Sequence, residues 1–448
     1  MPAVAVDLLK HLPASRIRYG GADDHPLWNG AVKRKPALLI RPHSSAEVAA
    51  AVLTARSHDL PLSVRGGGHD WAGRSLRDRG LVIDLAEMRG VVVSPQTRVA
   101  FAEGGATAGD VVAAAQRHGL TAATGTTGGV GMAGLTLGGG YGPLNGRFGL
   151  ALDNLHGGDV VLADGRQVAA SPTSEPELYW ALRGGGGNFG VATSLYIRLH
   201  PVPAVLSGFI VYPWTQAAKV WRQLDEILHD GPDELTVQSG MLPGPDGGPT
   251  VLLSTVWSGE LSRGRAVVER LQRLGTPLWS DVAPRRYADM LGSFDAHTVI
   301  GRCYALRTRS VSRFTPEVIA TLIEAGQSQS SPLSGVFVHH FHGAATRTEV
   351  EATAFGIRRP HFVIEVMAAW NPDDDAAPHC AWADAVSTRL AAHALPGGYA
   401  NLLGPDDHDQ IAHAYGPNAD RLLLAKKRYD PDRVFSAIAL PPAPGTSS

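Results

Sequence analysis

The sequence predicts an α+β protein with at least two domains. Its 448 residues exceed one domain, since most domains contain about 100–200 residues. Strand-like and helix-like segments alternate from residue 36, and runs of three or more glycines occur at residues 66–68, 138–140 and 184–187. Such runs are absent beyond residue 206, where longer helices alternate with strands. We therefore predict a ligand-binding domain over residues 1–205 and a substrate-facing domain over residues 206–400.

The first domain carries clear end signals for its helices and strands. Ser44 and Glu47 form a capping-box pattern before one helix, and Thr107 with Asp110 caps another. Asp164-Gly165 is a turn signal between two strands, as expected for a hairpin. The predicted elements are strands over residues 37–40, 62–64, 81–85, 97–102, 158–163 and 191–199, and helices over residues 48–57, 107–118 and 175–182.

The second part of the chain predicts helices that alternate with strands. His200–Pro203 contains two prolines, which end a strand and stiffen a linker, and this segment marks the predicted boundary. The elements predicted beyond it are helices over residues 214–228, 262–274, 316–325 and 407–427, and strands over residues 251–256 and 336–341.

Composition excludes several classes of function. The chain has 40 basic and 42 acidic residues, a formal charge of −2, so it has no summed positive field to attract nucleic acid or an anionic membrane. No apolar run approaches 18 residues. The two cysteines lie far apart, which argues against a disulfide framework or a zinc site. We predict a soluble, cytoplasmic protein that binds a small molecule and no metal. The sequence does not indicate an oligomeric state.

Two glycine tracts, residues 66–68 and 128–142, indicate a cofactor site. Glycine lets the backbone approach a ligand closely, and a cluster of exposed amides suits phosphates. Residues 129–134 and 185–190 match the dinucleotide pattern G-x-G-x-x-G, but neither follows a strand and opens a helix, so a Rossmann fold is not predicted. A single run would be an ordinary loop, and His69 alone would be a structural histidine. Together they favour a phosphate-bearing cofactor whose reactive ring lies near His69.

Six segments resemble the berberine-bridge-enzyme-like branch of the FAD-linked oxidases, which share the vanillyl-alcohol-oxidase fold. They are Arg65–His69, Leu81–Leu85, Leu135–Gly142, Asp153–Leu155, Leu178–Val191 and Tyr429–Pro431. The resemblance implies a PCMH-type FAD-binding domain over residues 1–205, to which the chain returns over residues 401–448. It also implies that the substrate domain over residues 206–400 is an antiparallel sheet backed by helices.

The resemblance implies that His69 carries FAD through the 8α-methyl group. Many members add a cysteine tether, and Thr127 stands in its place here. Threonine is too weak a nucleophile at neutral pH to replace cysteine. A single histidyl link is therefore expected, as in members similar to 6-hydroxynicotine oxidases. The other residues expected to bind FAD are Arg65, Gly66, Gly67, Gly68, Asp70, Gly125, Thr126, Thr127, Gly131, Gly134, Gly138, Gly139, Tyr141, Gly142, Val191 and Asn418.

The expected reaction is an oxidation by hydride transfer. The resemblance implies that flavin N5 takes a hydride from a small or natural-product alcohol, amine or phenol-like substrate, and that O₂ then reoxidises the flavin and forms H₂O₂. The protein positions the substrate, while the redox chemistry belongs to the cofactor. Three alternatives remain open: a dehydrogenase with another electron acceptor, a tailoring enzyme with redox-neutral or oxygenating chemistry, and a flavin-binding protein without catalysis.

The proton acceptor is not in the position that the resemblance implies. Many relatives have a tyrosine directly after the asparagine of a Tyr-x-Asn-Tyr stretch, and Leu402 occupies that position here. The strand over residues 336–342 alternates, so His340 and His342 share one face and can relay a proton if that face meets the flavin. A solvated or hydrogen-bonded histidine pair explains the pattern equally well. Tyr141 and Tyr399 are the other candidates.

Overall fold

The computed structural model describes residues 2–20, 26–244, 247–295 and 298–442. Three sheets and several helices form the part that precedes residue 205. A mostly parallel sheet contains, in spatial order, Ile17–Tyr19, Leu38–Ile40, Leu81–Asp84 and Leu62–Arg65. An antiparallel sheet contains Val91–Ser94, Val99–Glu103, Val191–Arg198, Leu155–Val161 and Gln167–Ala170. Leu120–Thr121 pairs with His200–Pro201. The α-helices are Pro2–Leu8, Ser45–Ser57, Ala108–Gln116, Met132–Gly138, Asn145–Phe148 and Pro176–Leu182.

Local signals place several of these elements. Ser44 Oγ accepts a hydrogen bond from the amide of Glu47 at 3.3 Å and begins the predicted helix. Thr107 and Asp110 form the complete predicted capping box. Gly165 has φ +82° in the turn between the two predicted hairpin strands. These predictions are confirmed, because each depends only on residues close together in the sequence.

One antiparallel sheet of eight strands, here called the large sheet, dominates the described residues beyond 205. Its main path contains, in spatial order, Trp279–Ser280, Val205–Pro213, Pro249–Trp257, Leu235–Pro243, Gly335–Phe341, His361–Trp370 and Cys303–Val311, and Ala283–Arg285 also pairs with Val205–Pro213. The α-helices of this part are Ala217–His229, Leu261–Gln272, Tyr287–Asp295, Pro316–Gln327, Ala344–Arg347 and Ala376–Ala391. The expected α+β architecture, with an antiparallel sheet backed by helices, is confirmed.

Each face of the large sheet has its own surroundings. Side chains at alternate positions, among them Val237, Val336, Val338 and Ile364, join helix residues such as Trp221 in one buried core. The opposite face points away from those helices and forms one wall of a cavity. The sheet therefore positions functional side chains through its cavity-facing positions.

The C-terminal segment packs against the first part of the chain. Residues 407–427 were predicted as one helix, and the structure instead has His408–Ile411 and Ala419–Tyr429. Gly416 has φ +50° and Pro417 lacks an amide hydrogen, so a continuous helix cannot pass through them. Leu422 lies in a core with Leu178. The predicted domain limits at residues 205 and 400 stay predictions.

Within the described ranges, no helix is both long and apolar enough to cross a membrane.

Candidate functional site

A cavity of about 1520 Å³ lies between the glycine tracts and the large sheet. Pockets for drug-sized ligands usually measure about 300–1,000 Å³, so this one can hold a large cofactor together with a substrate. Its lining changes along its length. At one end it is mostly backbone and small residues, drawn from four segments: 62–75, 125–137, 186–192 and 435–438. At the other end it consists of side chains from the large sheet.

The two glycine tracts touch each other through bare backbone. A Cβ atom added at Gly67 would lie 2.3 Å from the nitrogen of Gly131, and one at Gly131 would lie 2.4 Å from the nitrogen of Gly67. Gly68 has φ +71°, a conformation that residues with a side chain rarely adopt. A side chain at Gly67 or Gly131 would force the tracts apart. The result is a cradle whose walls present amides, and it fits the phosphate-bearing cofactor that the sequence predicts.

His69 follows the first tract and lines the cavity. Burial lowers the pKa of its imidazole, and the nearby carboxylate of Asp295 opposes this shift. The ring lies nearly parallel to that of Trp28, with an interplanar angle of 9° and centroids 6.1 Å apart. Trp28 in turn stacks on Tyr304 at 4.1 Å. The aromatic stack fixes the orientation of His69, and burial keeps its imidazole neutral at physiological pH.

Asp295 holds the loop at residues 127–129 in place. Asp295 Oδ1 accepts hydrogen bonds from the amides of Gly128 at 2.8 Å and Gly129 at 3.3 Å. A Cβ atom added at Gly129 would lie 3.2 Å from Nε2 of His69. The glycine therefore leaves the imidazole nitrogen accessible from this side, and Asp295 anchors the loop that passes it.

A polar group of four residues occupies the cavity wall near the second glycine tract. Glu365 Oε2 lies 3.2 Å from Nε2 of His339, and both side chains are about nine-tenths buried. Tyr141 contacts His339 and Tyr399 edge-on, with ring centroids 4.8 Å apart in each case. Burial, together with the neighbouring Glu365, raises the pKa of the Tyr141 phenol well above its usual value. Tyr141 therefore stays protonated, and the acceptor oxygens of this group belong to the Glu365 carboxyl group.

Tyr399 lines the cavity and also supports the backbone of the second glycine tract. Its hydroxyl accepts hydrogen bonds from the amide of Gly140 at 2.9 Å and from Nδ2 of Asn401 at 2.9 Å. Burial raises its pKa to about 12. Tyr399 thus holds the second glycine tract against residues 399–401, at the end of the predicted substrate domain.

Most residues that the sequence predicts to bind the cofactor line this cavity. They are Gly66, Gly67, Gly68, His69, Asp70, Gly125, Thr126, Thr127, Gly131, Gly134, Tyr141 and Val191. They come from separate parts of the chain, and the fold brings them to one end of the cavity.

Arg65 and Asn418, also predicted as cofactor ligands, lie outside the cavity lining. The Arg65 guanidinium is 3.7 Å from the fully buried carboxylate of Asp84. Asn418 donates hydrogen bonds to the carbonyls of Val350 at 2.8 Å and Thr353 at 3.0 Å. Both side chains therefore join segments of the protein, a role that sequence motifs do not distinguish from ligand binding.

Gly138, Gly139 and Gly142 are likewise absent from the lining. A Cβ atom would lie 2.0 Å from Asn401 at Gly138 and 2.5 Å from Tyr399 at Gly139. At Gly142 it would lie 2.0 Å from the carbonyl oxygen of Thr124. Close protein packing, and not contact with the cavity, requires glycine at these three positions.

The predicted pair His340 and His342 does not line the large cavity. Their rings stack at 3.9 Å, and His340 also stacks on Phe362 in the helix-side core. Burial lowers the pKa of His340 far below its usual value and that of His342 to about 4, so both are neutral. The sequence left open which face of the strand meets the cofactor, and in the structure Phe337 and His339 meet the cavity.

Glu365 and Gln238 line the cavity and were not predicted from the sequence. Glu365 is a lone carboxylate within the otherwise apolar strand His361–Trp370. A charge in such a strand is seldom buried without a partner or a function, and this signal could have identified it. Residues 435–438 also line the cavity, and only the tertiary fold brings them there.

No group of three or more His, Cys, Asp or Glu side chains among residues 2–20, 26–244, 247–295 and 298–442 is arranged to hold a metal ion.

Comparisons with known proteins agree with this geometry. A family model described as an FAD binding domain matches residues 36–171, and one described as berberine and berberine like matches residues 398–438. The FAD-linked oxidoreductase aurO of Gibberella zeae is 33% identical over 416 residues, which cover 91% of this chain and 81% of the relative. The (R)-6-hydroxynicotine oxidase of Paenarthrobacter nicotinovorans is 30% identical over 435 residues, covering 91% and 92%.

A solved structure shows the same fold. The crystal structure of 6-hydroxy-D-nicotine oxidase from Arthrobacter nicotinovorans has a TM-score of 0.84 and 26% identity, and the match covers 94% of this chain and 96% of that one. The PCMH-type fold expected from the sequence is therefore confirmed. The chain belongs to the family of berberine-bridge-enzyme-like FAD-linked oxidoreductases and is an FAD-dependent enzyme.

Proposed function

We propose that this enzyme is an oxidase that removes a hydride and a proton from a small or natural-product alcohol, amine or phenol-like substrate and passes the electrons to O₂. We also propose that His69 carries FAD as its single covalent attachment point. One observation carries the proposal: the glycine cradle beside His69 and the Glu365–His339 pair open into the same cavity. The relative named (R)-6-hydroxynicotine oxidase supports the oxidase activity.

Cavity residues at the cradle end fit FAD. The backbone of residues 66–68, 125–131, 186–190 and 435–438 would hold its phosphate-bearing part through amides. When bound, FAD supplies the hydride acceptor, since the redox chemistry belongs to the cofactor. The protein then has to hold the substrate, exclude water and accept one proton.

His69 suits a covalent attachment because its environment keeps the imidazole neutral. A neutral imidazole has a lone pair on one ring nitrogen, which a protonated ring lacks. Thr127, at the position of the second tether in many relatives, offers only a hydroxyl, which is a weak nucleophile at neutral pH. The link is therefore single.

Glu365 is the proposed proton acceptor, in place of the tyrosine that Leu402 replaces. Its carboxylate faces the cavity, and His339, 3.2 Å away, orients it. Glu365 Oε accepts the proton of a substrate hydroxyl or amine group as the hydride leaves the adjoining carbon. His340 and His342 have no part in this step, since they lie outside the cavity lining.

Reaction of the reduced enzyme with O₂ tests the proposal without knowledge of the substrate. The purified holoenzyme is photoreduced under anaerobic conditions and mixed with oxygenated buffer in a stopped-flow spectrometer. We expect rapid return of the oxidised flavin spectrum with stoichiometric H₂O₂. Return over many minutes would instead identify a dehydrogenase that uses another electron acceptor.

A further inference from the structure

A single row of side chains crosses the cavity-facing side of the large sheet. The strand registers pair Trp279 with Val211, Val211 with Leu252, Leu252 with Gly240, Gly240 with Phe337, and Phe337 with Glu365. We call these six residues the apolar row. Neighbouring strands lie about 4.8 Å apart, so Trp279 is about 24 Å from Glu365 along the sheet. The row joins the proposed proton acceptor to the far edge of the sheet.

The interior of this row is entirely apolar. Between Trp279 and Glu365 it contains Val211, Leu252, Gly240 and Phe337, and all of these except the glycine line the cavity. Polar side chains such as Thr250 and Ser254 line other parts of the cavity. A sugar hydroxyl that packs on the row itself finds no partner there, at a cost of about 1–3 kcal/mol for each hydroxyl. Burial of a flat hydrocarbon surface in the same place is favourable. The row therefore favours an aromatic ligand over a carbohydrate.

The outer end of the row is an exposed aromatic site. Trp279 is 49% exposed and Leu278 is 54% exposed, although both line the cavity. The Trp279 ring meets that of Phe209 edge-on, with centroids 6.4 Å apart. Exposed large apolar side chains beside a cavity indicate a binding surface, and a ligand aromatic ring can pack here edge-on or offset-stacked.

Charge at the outer end of this wall is already paired. Asp281 lies 2.7 Å from the guanidinium of Arg285, and it also accepts a hydrogen bond from the amide of Phe209. A charged ligand group there would have to separate these partners, so the outer end is complementary to a neutral molecule.

One polar group beside the inner end lacks a partner. The Oε1 atom of Gln238 is buried without a hydrogen bond from any described residue. The register that pairs Ser239 with Val338 places Gln238 beside His339 on the cavity-facing side. A buried acceptor next to the proposed proton acceptor can receive one hydrogen bond from a ligand hydroxyl.

From these contacts we infer that the substrate is a neutral aromatic alcohol with two or more fused rings, whose hydroxyl-bearing carbon lies outside the rings and carries the hydrogen that leaves as hydride. Its hydroxyl donates a hydrogen bond to Gln238 Oε1 when the substrate binds and passes that proton to Glu365 in the reaction, and its rings extend along the apolar row toward Trp279. The inference rests on the proposed function, since it takes the Glu365 end as the end where the substrate reacts.

Equilibrium binding to the holoenzyme tests the inference, because it needs no turnover. The probes are 2-naphthol, phenol, naphthalene, 2-naphthylmethylammonium and cellotriose, each followed by tryptophan quenching and by the flavin spectrum. We expect 2-naphthol to bind most tightly, at least about 10-fold tighter than phenol, through its second ring. Tighter binding of cellotriose or of the ammonium compound would overturn the inferred class. Binding of 2-naphthol by an enzyme that fails the O₂ test would refute the oxidase proposal alone.

Two variants locate the bound ring and its hydroxyl. Phe337→Ala, beside Glu365 in the apolar row, should weaken 2-naphthol binding by about 10-fold, while Tyr19→Ala, an exposed aromatic outside the cavity, should not change it. Gln238→Leu should weaken 2-naphthol binding by about 10-fold and leave naphthalene binding unchanged, since only the hydrogen bond to the hydroxyl is lost. Equal effects of Phe337→Ala and Tyr19→Ala, or equal effects of Gln238→Leu on both probes, would contradict the inference.

Discussion

Replacement of Lys426 by methionine should destabilise the protein strongly, because its ammonium group is buried in the C-terminal segment. Lys426 is 6% exposed, and its Nζ donates hydrogen bonds to Asp430 Oδ2 at 2.5 Å, to the carbonyl of Asn188 at 2.6 Å and to the carbonyl of Phe435 at 2.7 Å. Asp430 is fully buried. All three ammonium protons are thus used. The group ties residues 188 and 435, which belong to two cavity-lining segments, to one helix.

The structure sets the magnitude of the effect. Lys426→Met leaves the Asp430 carboxylate buried with only the amides of Val434 and Phe435 as donors. Loss of one partner of a buried ion pair costs about 3–5 kcal/mol. Asp430→Asn in the same background should recover part of this loss, since a neutral amide is cheaper to bury than an unpaired charge.

Urea unfolding followed by tryptophan fluorescence measures this loss. The matched control is Lys427→Met, which changes the next, exposed lysine and should alter stability by no more than about 0.5 kcal/mol. A difference below about 1 kcal/mol between the two methionine variants would refute the assigned role of the buried ammonium group. The role would also be refuted if adding Asp430→Asn destabilised the Lys426→Met protein further.

Three further predictions concern acid stability and the site. Burial lowers the pKa of His361 to about 4, so the folded protein disfavours the protonated imidazole. The free energy of unfolding should therefore be unaffected by this residue above about pH 6.5 and should fall by about 3 kcal/mol as the pH drops to 4. His361→Phe should flatten the pH dependence of the unfolding midpoint between pH 7.5 and 5, and an unchanged slope would contradict this. Asp295→Ala should lower the fraction of acid-stable flavin by freeing the loop at residues 127–129, whereas Asp289→Ala on the same helix should not; equal fractions would refute the anchor. Glu365→Gln should slow flavin reduction by substrate about 10²–10⁴-fold with normal flavin content, and a rate within about threefold of the wild-type value would exclude Glu365 as the proton acceptor.

The sequence predicts those parts of the fold that local residues decide. The cap at Ser44 and the turn at Gly165 depend on contacts within a few residues, and both occur as predicted. The glycine tracts could also be recognised in the sequence, because many glycines close together indicate backbone that approaches another group closely. Gly67 and Gly131 make such a close contact once the fold brings the two tracts together.

Tertiary contacts decide the remaining features. Alternation in the strand over residues 336–341 shows that His339 and His340 point to opposite faces, but it does not show which face the helices cover. The helices cover the face of His340, so His339 meets the cavity. Glu365 stands out in the sequence as a lone carboxylate in its strand, but only the fold brings it to His339, 26 residues away in the sequence.

Acid precipitation of the purified holoenzyme tests the central claim, that His69 is the single covalent attachment point of FAD. The wild-type protein should carry the yellow chromophore into the precipitate, and the denatured polypeptide should fluoresce as a flavin on a gel. His69→Ala should leave all flavin in the supernatant, while Thr127→Ala should retain it in the precipitate. Flavin released from the wild-type protein, or retained by His69→Ala, would contradict the account.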